Sequence, residues 1–392
     1  MAHRLGTGDQ THLVCFSHLR WNFVYQRPQH LLARAAKAYS VLFFEEPLRT
    51  ESACAEIASS ITPEGVRVLT PLIPSQCDGG TAIQLQGKML DMVMDETRPS
   101  RLIKWYYTPM ALQFSSHLQA EACVYDNMDE LSCFRGAPAH LVELEEEMMA
   151  CASVVFTGGQ SLFEAKKHRH ANIHAFPSSI DAAHFHQARN LLPCALEDQI
   201  GIRSPRIGYF GVIDERLDLE LVAELAAMRP AWQFVMIGPV VKIDPATLPC
   251  APNLHWLGQK PYADLPRYLA GWQAGIMPFA INEATRFISP TKTPEFLAAG
   301  IPVVSSPIAD VVRPYGEEGL VAIASQAEGF AAAVERLLTM GSDVQWLAKV
   351  DQRLSTNSWD LTWSRMQALI ESATAPAAGL SEIHSMKGAA LV

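Results

Sequence analysis

The stretch Ser289–Ser305 reads S-P-T-K-T-P-E-F-L-A-A-G-I-P-V-V-S, and it is the most informative segment of the chain. It predicts a loop, then a helix that opens near Thr293 and Pro294, then a helix end at Gly300 and a buried strand. Proline suits the first turn of a helix and glycine suits its C-terminal cap. The free N–H groups at such a helix start favour a bound anion.

Three side chains at this helix start are suited to a phosphorylated ligand. Lys292 adds a cation and Thr291 adds a hydroxyl. Glu295 falls in the first turn, where its carboxylate could accept hydrogen bonds from vicinal hydroxyls such as those of a ribose. The alternative for Glu295 is that it only stabilises the helix dipole.

Short apolar runs alternate with helical patterns on both sides of this stretch. From His12–Phe16 onward, continuous apolar strands are separated by helices, and the pattern restarts at Arg206–Phe210. Such strands indicate a parallel sheet covered on both faces. The predicted fold class is therefore α/β, with two doubly wound Rossmann-like domains that face each other across a cleft. The boundary is predicted between Phe185 and Pro205, where turn residues punctuate the chain.

Composition excludes several function classes. The chain has 392 residues, 49% apolar and 18% charged, with a formal net charge of -10. A negative surface makes nucleic acid an unexpected partner, although a local basic patch could bind one nucleotide or an anionic lipid surface. The eight cysteines form no C-x-x-C pair, which fits a reducing compartment. With no signal peptide and no apolar run of membrane-spanning length, we expect a cytoplasmic protein.

The opening stretch resembles the phosphate- and ribose-binding element of the retaining GT-B glycosyltransferases, the glycosyltransferase group 1 family. Members often read P-x-K-x-x-E-x-(L/M)-A-(A/S)-G-x-P-V-V. The matching residues here are Pro290, Lys292, Glu295, Leu297, Ala298, Ala299, Gly300, Pro302, Val303 and Val304. Phe176–Phe185, Ile207–Gly211 and Val235–Pro239 are similar to three further family motifs, in the family's order. The R-P-Q-H-L run at Arg27–Leu31 resembles the helix start of one subgroup.

The resemblance implies roles for these positions in binding a nucleotide-sugar donor. Glu295 would bind the donor ribose. Lys292, Thr291 and the backbone around Pro290 would bind the diphosphate, and Gly211 would let the phosphates approach the backbone closely. No metal or other cofactor is implied.

Two departures from the family pattern concern the donor site. The family usually places an Arg and a Lys just after the glycine turn, and here only Arg216 can serve. With Lys292 it would stabilise the leaving diphosphate. The family also commonly has a second glutamate eight positions before the ribose glutamate. That position is Phe287 here, and Glu283 or Arg286 are the alternatives for its role.

The N-terminal domain offers candidates at three predicted strand ends. His18, Arg20 and Arg27 lie in the connection that follows the first strand. We predict acceptor binding by both arginines and a catalytic role for His18, since doubly wound sheets bind ligands at the carboxyl ends of their strands. The alternative for Arg27 is a structural contact at a helix start.

Acids and aromatics follow two further strands. Asp126 stands at a strand end and is the candidate catalytic base, with Asp129 just beyond as an acceptor-binding group. Helix capping is the alternative for Asp129. Tyr107 belongs to an aromatic run that predicts either an acceptor platform or core.

The resemblance as a whole implies a nucleotide-sugar-dependent glycosyltransferase of polysaccharide or glycoconjugate biosynthesis. It would use a glycan or lipid-linked acceptor, with peripheral membrane association as a further expectation. Residues 1–187 would bind the acceptor and residues 203–355 the donor; 356–373 would form a helix crossing back to the first domain, and 374–392 a disordered tail. The alternatives are a nucleotide-sugar epimerase or hydrolase of the same fold, or a catalytically silent nucleotide-sugar-binding protein.

Overall fold

The structure is a computed structural model that describes residues 11–191, 196–340 and 343–374. Its strands form two sheets. The N-terminal sheet contains β1 (His12–Ser17), β2 (Ser40–Glu45), β3 (Leu48–Thr50), β4 (Glu56–Ile61), β5 (Arg67–Pro74), β6 (Leu102–Tyr106), β7 (Ala122–Asn127), β8 (Val154–Thr157) and β9 (Ile173–Ala175). The C-terminal sheet contains β10 (Arg206–Phe210), β11 (Gln233–Ile237), β12 (Leu254–Gly258), β13 (Ala274–Met277), β14 (Val303–Ser305) and β15 (Ala322–Ile323).

Helices cover both faces of each sheet. They are α1 (Arg27–Ala35), α2 (Gly79–Thr97), α3 (Leu112–Ser115), α4 (Leu141–Cys151), α5 (Gln160–Lys166), α6 (Ala182–Asn190), α7 (Leu219–Met228), α8 (Leu265–Leu269), α9 (Lys292–Ala298), α10 (Ala309–Val311), α11 (Ala327–Met340), α12 (Val344–Leu354) and α13 (Trp359–Thr374). Each sheet carries one apolar core on each face, because its central strands are apolar on both sides. The α/β prediction is confirmed.

Strand order positions the cleft. The N-terminal sheet runs β3-β5-β2-β1-β6-β7-β8-β9 and the C-terminal sheet β12-β11-β10-β13-β14-β15. Every pairing is parallel except that of β4 with β5. In each sheet the first strand lies between two strands that come after it in the chain. Strand β1 lies between β2 and β6, and strand β10 lies between β11 and β13. Connections therefore leave in opposite directions and open a crevice at the carboxyl ends of these strands.

Strands β3 and β4 were not predicted. Strand β4 reads E-I-A-S-S-I and is almost wholly exposed, so it lacks the apolar run that marks a buried strand. It pairs with β5 through backbone hydrogen bonds, which the side-chain pattern does not reveal.

Helix α6 lies on the C-terminal domain although the predicted boundary was residue 187. Asp181 caps the helix by accepting a hydrogen bond from the His184 N–H at 3.2 Å. Phe185 is fully buried in the C-terminal core, where α6 packs against α8 and α9. By this packing the N-terminal domain ends before α6. The predicted linker residues 192–195 and the predicted tail from 375 onward lie outside the described residues.

The last helix returns to the N-terminal domain. Helix α13 packs on α1 and on the N-terminal sheet, and its Trp359, Trp363, Met366 and Ile370 belong to a core cluster of that domain. The Trp359 ring stacks on His30 at a centroid distance of 4.6 Å. The chain thus crosses between the domains twice, which ties both walls of the cleft together.

Candidate active site

A cavity of about 540 Å³ lies between the domains at the carboxyl ends of the central strands. Both domains line it. The C-terminal wall includes Gly211, Arg216, Gly238, Gln259, Tyr262, Pro290, Thr291, Lys292 and Glu295, and the N-terminal wall includes Trp21, Asn22, Phe23, Tyr25, Arg27, Glu64, Met128 and Asp129. Of the twelve residues predicted for the site, the cavity brings together eight: Arg27, Asp129, Gly211, Arg216, Pro290, Thr291, Lys292 and Glu295.

Two glycines leave bare backbone at the floor of the C-terminal wall. Gly211 follows β10 with φ of +127°, and a Cβ there would lie 2.0 Å from Lys292 Cε. Gly238 follows β11 with φ of +151°, and its Cβ would lie 1.8 Å from the Gly211 carbonyl oxygen. A side chain at either position would meet both backbone strain and a collision. Two neighbouring turns therefore present peptide groups, not side chains, to the cavity.

Lys292 brings its ammonium close to these glycines. Its ammonium lies 5.5 Å from the ring centre of Tyr209 and 5.8 Å from that of Phe279. Burial is the main cause that lowers the pKa of Lys292, and the Arg216 charge lowers it further. Within the described ranges no carboxylate forms an ion pair with it. The ammonium is therefore free to bind an anion in the cavity.

Glu295 is a buried carboxylate without a side-chain hydrogen bond to any other described residue. The residue is 8% exposed, and it lies in the first turn of α9. Burial raises the pKa of Glu295, and the nearby Lys292 charge acts in the opposite direction. Buried carboxylates normally have partners. An unpartnered one that lines a cavity is placed to accept hydrogen bonds from a ligand.

Arg216 reaches the cavity but is held by an internal partner. Its guanidinium donates to both oxygens of Asp214 at 2.7–3.1 Å. Its charged end also lies 5.5 Å from the Phe134 ring centre, on a loop of the N-terminal domain. The group is thereby oriented toward the cleft, with part of its charge balanced by Asp214.

The structure corrects the roles predicted for Asp126 and Arg27. Asp126 is fully buried, and both its oxygens accept hydrogen bonds from Arg27 at 2.8–3.2 Å. Arg27 Nη1 donates to the Phe176 carbonyl at 2.8 Å. All the nitrogens of Arg27 are thus used inside the fold. Asp126 does not line the cavity and is not placed to act as a base, and Arg27 has the structural role that was the alternative for it.

Three more predicted residues lie outside the cavity lining. Tyr107 is 1% exposed and belongs to the N-terminal core, so it forms no acceptor platform. Arg20 binds Glu45 at 3.1 Å and the Pro47 carbonyl at 3.3 Å, which fixes the loop after β1. Burial lowers the pKa of His18 to about 4, and its buried Nδ1 has no hydrogen-bond partner among the described residues.

Asp129 is a carboxylate of the N-terminal wall that faces the cavity. Burial raises its pKa, and the Arg216 charge opposes that shift most strongly. Asn127 Nδ2 donates to the Asp129 carbonyl at 2.9 Å and to the Tyr125 hydroxyl oxygen at 2.8 Å, both from inside the domain. The strand end therefore holds the Asp129 backbone in place while its side chain lines the cavity.

The position that the family fills with a second glutamate has no replacement in the cavity. Phe287 does not line it, and neither does Glu283 or Arg286. Glu283 pairs with Arg286 at 3.5 Å, and their side chains are 73% and 62% exposed. The C-terminal wall therefore differs from the family pattern at this point.

Sequence reasoning missed several wall residues. The segment Asn22–Gln26 follows β1, and its Phe23 carbonyl accepts a hydrogen bond from Gln259 of the other domain. Tyr25 stacks on Tyr262 at 4.7 Å. The sequence predictions rest on the charged residues that flank this segment, whereas its own aromatic rings and backbone line the cleft. Glu64 lies in the turn after the unpredicted β4, so no motif pointed to it.

The two facing sheets and the glycine-floored cavity define the GT-B fold, the class of protein to which this chain belongs. A sucrose-phosphate synthase from Thermosynechococcus elongatus has a TM-score of 0.65 at 14% identity, covering 93% of this chain and 98% of that one. A UDP-forming α,α-trehalose-phosphate synthase from Burkholderia xenovorans has a TM-score of 0.67 at 13% identity, covering 94% and 100%. At such identities the likeness shows the fold alone.

Sequence comparison then gives the family. Residues 204–340 match the family Glycosyl transferases group 1. The putative teichuronic acid biosynthesis glycosyltransferase TuaH of Bacillus subtilis (strain 168) is 28% identical over 160 residues, which are 39% of this chain and 40% of that protein. The match spans about two fifths of that relative's length. The resemblance to that family is confirmed over residues 204–340.

Neither a metal centre nor a membrane span is found in the part of the chain that the structure describes. No group of three or more His, Cys, Asp or Glu side chains there could hold a metal ion. No helix in the same ranges is long and apolar enough to cross a membrane.

Proposed function

We propose that this protein transfers a sugar from a nucleoside diphosphate sugar to a hydroxyl of a glycan or lipid-linked acceptor. One observation carries the proposal. An unpaired ammonium, Lys292, and an unpaired carboxylate, Glu295, stand one helical turn apart beside the bare backbone of Gly211. A diphosphate would bind the Lys292 ammonium and the Gly211 backbone. A ribose with two vicinal hydroxyls would bind the Glu295 carboxylate.

The same groups support the chemistry. When the bond between the sugar and the diphosphate breaks, negative charge grows on the departing phosphate. Lys292 and Arg216 would stabilise that charge in a site screened from water. We propose transfer without a metal ion, since these two cations supply the charge that a metal would otherwise bring.

We propose a retaining outcome, in which the departing phosphate accepts the proton of the acceptor hydroxyl. Both events would then take place on one face of the sugar, so no strong base is required on the opposite face. The burial of Asp126 against Arg27 agrees with this route, because it withdraws from the cavity the carboxylate predicted as the catalytic base. Asp129 would hydrogen-bond the acceptor.

The relatives support a role in polysaccharide biosynthesis. TuaH is described as a teichuronic acid biosynthesis glycosyltransferase, and one structural neighbour is described as UDP-forming. We propose UDP as the first nucleotide to test. A cytoplasmic location with peripheral attachment to a membrane, where a lipid-linked acceptor would be met, completes the proposal.

Calorimetric titration with UDP, GDP, ADP and TDP, without added metal, tests the donor site. We expect one nucleotide to bind with a micromolar Kd and to lose that affinity in Glu295→Ala. Glu143→Ala, an exposed carboxylate of α4, is the matched control and should bind as the unaltered protein does. Normal binding by Glu295→Ala, or no binding of any nucleotide, would contradict the proposed function.

A further inference from the structure

The N-terminal wall of the cavity has a charge pattern that the proposed function does not yet use. Its charged side chains are Arg27, Glu64 and Asp129. The guanidinium of Arg27 is consumed by Asp126 and the Phe176 carbonyl. The wall therefore offers a ligand two carboxylates and no available cation.

Nearby cations are committed elsewhere. Lys292 and Arg216 belong to the opposite wall, where the proposed diphosphate would bind. Lys260 pairs with Asp198 at 2.6 Å. Lys242 is not part of the lining and lies 5.2 Å from the Phe134 ring centre. A second phosphate or carboxylate on the N-terminal side would thus face Glu64 and Asp129 with no free cation of the same wall beside it.

Aromatic rings accompany these carboxylates. Tyr25 is 36% exposed, its ring is stacked on Tyr262, and Phe23 is partly exposed beside it in the lining. Burial raises the pKa of the Tyr25 phenol, and the charge of nearby Glu64 raises it further. Flat rings cover the C–H faces of a sugar, while carboxylates accept hydrogen bonds from its hydroxyls. Rings and carboxylates together suit a neutral polyol.

We infer that the N-terminal wall seats an uncharged sugar as the acceptor and rejects sugars that carry a phosphate. The inference rests on the proposed function, since it assigns the second substrate of the same cavity. A phosphorylated sugar would have to bring its charge to within a few ångströms of Glu64 or Asp129. At that range like charges weaken binding by roughly 10-fold or more beside Asp129, which is partly buried, and by less beside Glu64, which is exposed.

Saturation-transfer NMR on the UDP-saturated protein tests the inference with matched pairs. The probes are glucose and glucose 6-phosphate, then N-acetylglucosamine and its 6-phosphate. We expect the neutral member of at least one pair to bind roughly 10-fold or more tightly than its phosphate. In the double variant Glu64→Gln/Asp129→Asn, this preference should shrink toward equality. Glu143→Gln, which removes one carboxylate on the outer face of α4, should keep it.

Each other outcome overturns the inference. A phosphorylated sugar that binds as well as its neutral partner would mean that the wall does not select by charge. Binding of neither member of any pair would mean that the wall does not seat a sugar. Titration of UDP in the same samples separates a failure of this inference from a failure of the donor site. UDP would still bind if only the sugar-binding wall were wrongly assigned.

Discussion

The two walls of the cleft come from the same type of sheet edge, yet their charged residues are used in opposite ways. In the C-terminal wall Lys292 and Glu295 line the cavity without partners among the described residues. In the N-terminal wall Arg27 and Asp126 neutralise each other inside the fold. A charge at the end of a strand is therefore functional or structural according to whether another part of the chain supplies its partner.

The largest expected effect is a loss of stability when the buried ion pair between Arg27 and Asp126 is broken. Asp126→Asn or Arg27→Ala leaves one group buried without its partner, so we expect the free energy of unfolding to fall by about 3–5 kcal/mol. Denaturant titration measures this. Arg67→Ala, which breaks the exposed pair with Glu96, should cost about 1 kcal/mol or less. A loss that small for Asp126→Asn would show that the pair is not structural.

The next largest expected effect is a fall in the turnover rate when the Lys292 cation of the C-terminal wall is removed. Lys292→Ala takes away charge that would stabilise the leaving diphosphate, so we expect the turnover rate to fall by about 10²–10³-fold. The measurement is the rate at which the nucleotide identified by calorimetry is released from its sugar conjugates. Lys349→Ala, at an exposed lysine of α12, should leave the rate unchanged. An active Lys292→Ala enzyme would refute the role given to this cation.

Adding one methyl group to the floor should weaken donor binding with less effect on the fold. In Gly211→Ala the new Cβ would meet Lys292 Cε at 2.0 Å, at a φ of +127° that alanine rarely adopts. We expect nucleotide affinity to fall by roughly 10-fold or more, because the new Cβ would displace Lys292 and cover the backbone that the phosphates would approach. Gly201→Ala, in open space, is the control. Equal affinities in the two variants would contradict a bare-backbone phosphate site.

The smallest effect should appear in the pH dependence of nucleotide binding. Donor binding needs Lys292 protonated and Glu295 ionised. Because burial lowers the pKa of Lys292 and raises that of Glu295, affinity should fall when pH rises through the lysine pKa and also when pH falls through the glutamate pKa. We expect a maximum near neutrality, seen by calorimetry. In Lys292→Arg the loss of affinity at alkaline pH should disappear. If that loss persists, it is caused by the titration of another group.

The donor wall could be predicted from sequence because its residues are close together along the chain. Pro290 to Glu295 span one loop and one helical turn, and Gly211 ends the strand that restarts the α/β pattern. Gly211 lies far from Pro290 along the chain, and the resemblance to the family assigned it to the same site.

The acceptor wall could not be predicted in the same way because its partners are distant along the chain. Arg27 and Asp126 are 99 residues apart, and nothing local to either shows that they pair. Tyr107 occupies the core position that the sequence left open as an alternative. Glu64 follows an exposed strand without an apolar pattern, so the carboxylate that defines the wall's charge carried no signal.

The central claim is that the two walls bind two different ligands, and one paired measurement tests it most directly. Affinities for the nucleotide, for a neutral sugar and for the phosphate of that sugar are measured on the same samples of Glu295→Ala and Asp129→Asn. The account predicts that Glu295→Ala loses the nucleotide and that Asp129→Asn keeps it but loses selection against the phosphorylated sugar. Loss of nucleotide binding in Asp129→Asn, or its retention in Glu295→Ala, would contradict the division of the cleft.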